Sequence, residues 1–167
     1  MNNELFLEHY TGQSTNELLA LENSHRIDSL VLAFEEALED RKTANQDLSP
    51  VETTVLAITA FMREIDNGGF SQFFYNSSVE YAPMIVDALD AVGAEHCSQL
   101  AQRAIDALNL ETLLPEAIEE RLDPDDDELE SLLSELDDIY YEESEELDLL
   151  LFDFIKENAN ACHLDAA

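Results

Sequence analysis

Along most of this chain, apolar residues return every three or four positions, and that spacing limits the fold more than any other feature. Ile27, Leu30, Val31, Phe34 and Leu38 follow the i, i+3, i+4, i+7 pattern of one buried helical stripe. Leu129, Leu132, Leu133, Leu136 and Ile139 form another, and Leu147, Leu150, Leu151 and Phe154 a third. Strand signals are scarce: clusters of β-branched residues are few, and no Asn-Gly turn separates alternating runs. The expected architecture is all-α, a single-domain compact helical bundle of about seven to eight helices over residues 1–167.

Local signals mark helix ends. Ser49-Pro50-Val51-Glu52 reads as a capping box with proline at the first helical position. The helix it opens should run through Val55, Ile58, Phe61 and Ile65 and close at Asn67-Gly68-Gly69. An aromatic segment, Phe70 to Tyr75, precedes a helix expected from Tyr81 to the Val92-Gly93 stop. Glu95 to Leu108 places Cys97, Leu100, Ala101, Ala104, Ile105 and Leu108 on an inner face, and Pro115 opens a short helix ending near Leu122. Asp123-Pro124-Asp125-Asp126-Asp127 then reads as a turn that caps the next helix.

Charge limits function as strongly as periodicity limits fold. The chain has 39 Asp and Glu against 7 Lys and Arg, a formal net charge of −32. Because 46% of the residues are apolar, this charge sits on a folded body rather than on a disordered acidic tail. Sixteen of the acids lie between Leu122 and Glu157 with one base, Lys156, so the excess is densest there but not confined to it. Such a chain repels nucleic acids and anionic membranes, whose phosphates need Lys or Arg contacts, and it favours basic partners. No apolar run approaches the roughly 20 residues of a membrane span. Met1 to Tyr10 lacks the basic and apolar regions of a signal peptide, and two cysteines make no disulfide framework. A cytoplasmic protein with reduced thiols is the expectation.

Catalytic and metal signatures fail on inspection. Asp123, Asp125 and Asp127 fit the first positions of a calcium loop, but Glu128 stands where glycine belongs and Ser134 where the closing glutamate belongs. Glu22-x-x-His25 is half of a di-iron motif without its second half, and His96-Cys97 and Cys162-His163 lack zinc-finger spacing. No phosphate loop, nucleophile elbow or zinc-protease signature occurs. No metal, cofactor or catalytic residue is expected, and the protein is expected not to be an enzyme. One segment is unlike helix filler: Asp66 to Ser78 holds half of the four glycines and three of the eight phenylalanines. A structural hinge is the expected role. A pocket is the alternative, and with it an enzyme using Asn67 to Asn76.

That segment, with Asn67, Gly68, Gly69, Phe70, Gln72, Phe73, Phe74, Asn76 and Ser77 followed by Ala88-Leu89 and Gly93-Ala94, resembles the signature of the bacterial DNA mimic protein 19-like family. The resembling region runs from Glu17 to Glu157. The resemblance implies an all-helical homodimer whose carboxylates imitate duplex phosphates on the DNA-binding face of a transcription factor, most simply of helix-turn-helix type. The charge agrees: at one charge per ~1.7 Å of duplex, 32 charges correspond to roughly 16 base pairs. Carboxylates at i and i+4 on a helix lie about 6 Å apart, near the spacing of adjacent phosphates. Expected contributors are Asp125, Asp126, Asp127, Glu128, Glu130, Glu135, Asp138, Glu142, Glu143, Glu145 and Glu146. An immunity or interaction protein that neutralises a basic toxin, such as a nuclease, would carry the same features, and an acidic surface can also serve solubility alone.

Overall fold

The computed structural model describes residues 5–122, 126–143 and 145–165. Among them are eight α-helices, two 3-10 turns and no strand beyond the isolated bridge between Leu5 and His25, so the fold is all-α. They group into two compact units, one from 5–59 with 148–165 and the other from 60–147.

The first unit holds α1 (Thr15–Leu19), α2 (Ile27–Thr43), the opening turns of α3 (Pro50–Tyr75) and nearly all of α8 (Leu147–Glu157). Its core contains Leu18, Leu30, Phe34, Leu38, Leu56, Ile58 and Phe152, all fully buried. α2 starts at Ile27 with Arg26 as its N-cap and no side-chain cap, while the Ser24 hydroxyl donates to Leu21 O (3.1 Å). The short α1 has a capping box of its own, Ser14 with Glu17. At α3 the expected box is present: Ser49 N–H donates to Glu52 Oε2 (2.8 Å) and Glu52 N–H to Ser49 Oγ (3.1 Å). Glu52 is fully buried and also accepts from Arg41 and from His163 N–H (2.6 Å), which ties the last residues to the start of α3. Thr15 completes the tie, donating to Cys162 O (2.7 Å) and accepting from Leu164 N–H (3.1 Å).

The second unit holds the rest of α3, α4 (Ile85–Ala91), α5 (Glu95–Leu108), α6 (Pro115–Arg121) and α7 (Asp127–Glu143). Phe61 is fully buried and meets Phe70, Phe73 and Tyr140 edge-on, with ring centroids 5.8, 5.4 and 6.1 Å away. Each such pair adds about 0.5–1.5 kcal/mol beyond its area burial. The expected helix over Tyr81 to Val92 is instead a 3-10 turn, Ser77–Tyr81, followed by α4. Pro83 lies between them, and it lacks the N–H that a helix interior requires.

As expected, the first helical run of α3 closes at Asn67-Gly68-Gly69, and a second run begins directly after it. The dihedrals leave the helical range at Gly68 (φ −175°, ψ 20°) and Gly69 (φ 77°, ψ −167°), and helix resumes at once through the aromatic segment to Tyr75. Restarting a helix without a loop requires a partner for its first N–H groups. Asp137 supplies it from α7: Phe70 N–H donates to Asp137 Oδ1 at 2.8 Å.

Candidate interaction surface

The acidic stretch includes α7, and the two faces of that helix differ sharply. Leu129, Leu133, Leu136 and Tyr140 face the core at helical spacing. On the other side Asp127, Glu130, Ser131, Ser134, Glu135 and Asp138 line one shallow depression of about 480 Å³. These positions recur once per turn, about 5.4 Å apart along the axis, so the acids form a row rather than a scatter. Asp126 starts the helix by accepting Leu129 N–H (3.0 Å), and Asp127, Glu128 and Glu130 in the first turn suit the positive end of its dipole. At the other end Glu142 and Glu143 oppose that dipole, with no basic residue in the last turn.

The expected contributors divide by what they touch. Asp127, Glu128, Glu130, Glu135, Asp138, Glu142, Glu143 and Glu146 are exposed. Glu135 stands 4.0 Å from Arg103, and Glu143 lies 3.7 Å from His96 Nε2. Two others are engaged within the fold. Asp126 is held below the usual carboxylate range by the Leu129 N–H bond and by Arg121 at 2.7 Å. Glu145 turns inward to accept His96 N–H (3.3 Å) and Cys97 N–H (3.0 Å) at the start of α5. Asp125 lies outside the described residues. Arg26, Arg41, Arg63, Arg103, Arg121 and Lys156 each sit within 4.0 Å of a carboxylate, so these bases are dispersed as local partners.

The glycine and aromatic motif is built into the core. Gly69, Phe70, Phe73 and Phe74 are buried, Gln72 and Asn76 are half-buried, and Asn67 and Gly68 face outward. Asn76 Nδ2 donates to Glu64 Oε2 (2.7 Å) and Ser78 Oγ to Glu64 Oε1 (2.9 Å), locking the end of α3 to a buried carboxylate. Gln72 and Asn76 do not converge on one cleft. Gln72 lines a groove of about 400 Å³ with Gly68, Ser71, Leu129 and Glu130, whereas Asn76 lines another of about 310 Å³ with Pro115 and Glu119. Tyr75 stands between the two and lines both.

Three important residues escaped the sequence reading: Asp137, Glu64 and Tyr141. Burial pushes the Asp137 carboxyl above its ordinary range, the Phe70 N–H bond notwithstanding, and Asp138 adds to the shift. Tyr141 donates its hydroxyl to Ile65 O and is likewise raised by burial, then by Asp137 and Asp66. A visible signal existed for Asp137: it sits four residues after Leu133, at the edge of the core stripe, where a solvated carboxylate is not expected. Both cysteines are buried and their thiols are pushed up to about 11, chiefly by desolvation. Among the described residues no group of three or more His, Cys, Asp or Glu side chains is placed to hold a metal ion. No described helix is long and apolar enough to cross a membrane.

The fold and surface define a class: an all-helical, intensely acidic protein whose bases are spent on local pairing and whose row of carboxylates is carried on one helix. A motif built around a broken helix, closed by Asp137 and Glu64, is its second mark. The family model described as DMP19-like protein matches residues 46–158, and the chain belongs to that family. The match begins after α2, later than the Glu17 start of the resemblance, and takes in the whole motif and α7. No curated protein and no solved structure matches the chain.

Proposed function

We propose that this protein is a non-enzymatic DNA mimic that binds the DNA-binding surface of a basic protein, a helix-turn-helix transcription factor in the first instance, and excludes DNA by competition. The observation that carries this reading is the row of carboxylates along the solvent face of α7, on a chain whose net charge is −32. Arg and Lys side chains that normally meet phosphates would meet Asp127, Glu130, Glu135 and Asp138, releasing counterions from both surfaces. Solubility alone asks for a net charge of magnitude about 2–8 on a small domain, far below this one. Family membership supports the reading through the resemblance to DNA mimics. The proposal includes the homodimer and a cytoplasmic location.

A gel-shift competition tests it. Excess protein should displace a basic repressor from its operator at ~150 mM salt, and the complex should weaken as salt rises. Persistence of the repressor–operator band at every ratio would refute the mimic.

A further inference from the structure

We propose that the groove beside Tyr75 is an apolar anchor for a basic amphipathic helix of the partner, which the row of acids then holds by charge. This rests on the mimic reading and adds what duplex imitation lacks, because a phosphate row has no apolar counterpart. The groove lies between the restarted half of α3 and the first turns of α7. Ser71, Gln72 and Tyr75 form one wall, and Leu122, Asp126, Glu130 and the edges of the mostly buried Leu129 and Leu133 form the other, around an open cleft of about 400 Å³. Tyr75 is 78% exposed, the most exposed of the large hydrophobic side chains among the described residues. A large ring left in water beside an open apolar cleft is the arrangement that anchoring aromatics have at interfaces.

The occupant follows from charge. Glu130 lines both this groove and the acidic depression with Asp127, Glu135 and Asp138, so apolar cleft and carboxylate row are continuous. A helix placing apolar residues at i, i+3 and i+4 into the groove brings its flanking Arg or Lys onto that row. An acidic or neutral helix would meet unpaired repulsion or none of the gain. Carboxylates alone hold any polycation and release it in salt; an apolar anchor selects among polycations and survives screening.

The test uses the full chain and two synthetic peptides of equal positive charge. One is an Arg/Leu amphipathic helix, the other the same peptide with each Leu replaced by Gln, and binding is read by fluorescence anisotropy. The amphipathic peptide should bind roughly tenfold tighter, and the preference should persist at ~0.5 M NaCl, where the Debye length is only a few ångströms. Tyr75→Ala removes an exposed ring and Ser71→Arg places a cation in the cleft. Each should abolish the preference while leaving the Gln peptide's affinity nearly unchanged, with helicity checked by circular dichroism.

Equal binding of both peptides, or a preference that survives both substitutions, overturns the anchor and leaves the mimic reading standing. Failure of both peptides to bind overturns the anchor and the mimic reading alike. A fall in particle mass for Tyr75→Ala by light scattering would show that a second copy covers the groove, and would also overturn the proposal.

Discussion

Gly69→Ala should be among the most damaging single-atom additions to this protein. At φ 77° and ψ −167°, Gly69 occupies a region that is essentially glycine-only, and forcing an L-residue there costs about 1–3 kcal/mol. A Cβ at this position would lie 2.1 Å from Asp137 Oδ2 and 2.3 Å from its Cγ. The carboxylate must swing away and release the 2.8 Å hydrogen bond from Phe70 N–H, a charge-assisted bond that contributes about 1.5–3 kcal/mol. Together these give a loss of roughly 3–5 kcal/mol, against a total stability of about 5–15 kcal/mol for a typical domain. Gly93→Ala is the control: its φ is also positive, +80°, but no atom lies within 4 Å of the added Cβ, so only the backbone penalty of about 1–2 kcal/mol applies. Urea denaturation followed by circular dichroism measures both, and a double-mutant cycle with Asp137→Ala separates strain from the lost bond. In the Asp137→Ala background Gly69→Ala should cost about 1–3 kcal/mol, the strain alone. Equal costs with and without the Asp137 carboxylate would refute the account of why the motif needs glycine here.

Three further outcomes follow from the carboxylates. Burial raises Glu52, but the donors His163 N–H, Ser49 N–H and Arg41 outweigh it, so its folded value lies below its unfolded one. Its contribution is therefore complete above the unfolded value, about pH 4.3, and is lost as pH falls through the lower folded value. Glu52→Gln should flatten that acid limb and cost roughly 1–3 kcal/mol at neutral pH; parallel stability–pH curves for the two proteins would contradict this. If self-repulsion of 39 acids is the main electrostatic cost of folding, the melting temperature should rise from low salt to ~0.3 M NaCl, and a flat or falling trend would count against it. Glu142→Gln, at the C-terminal end of α7, relieves an unfavourable dipole contact and should stabilise by about 0.3–1 kcal/mol, while a loss of stability would show that Glu142 holds a contact the fold requires.

Most of the helices were legible because their signals are local. The capping box at Ser49, the Glu95–Leu108 stripe and the start at Pro115 each depend on residues within a few positions of one another. The departures have long-range causes. Asn67-Gly68-Gly69 reads correctly as a helix end, but nothing local marks the immediate restart at Phe70, whose N–H is capped by Asp137, 67 residues away. Glu145 looked like one more surface acid, and its inward turn depends on the start of α5, 48 residues earlier. Among 39 acids, those that cap, pair or close a buried network carry no local mark, apart from a place at the edge of an apolar stripe such as that of Asp137.

That division among the acids sharpens what the charge can mean. Glu52, Glu64, Asp126, Asp137 and Glu145 each accept from a specific backbone or side-chain donor, and the fold accounts for them. Asp127, Glu130, Glu135 and Asp138 are exposed and share one depression, and Arg103 stands 4.0 Å from Glu135. Glu142 and Glu143 stand where the helix dipole disfavours anions. Asp127 and Glu130 suit the positive end of α7, but Glu135 and Asp138 lie beyond its first turn, so the dipole does not account for the whole row. Dispersing the same charge over the surface would confer solubility at a lower electrostatic cost, since repulsion falls with separation and screening. An aligned row of carboxylates is what the proposed partner, a protein that grips a phosphate backbone with aligned cations, would require.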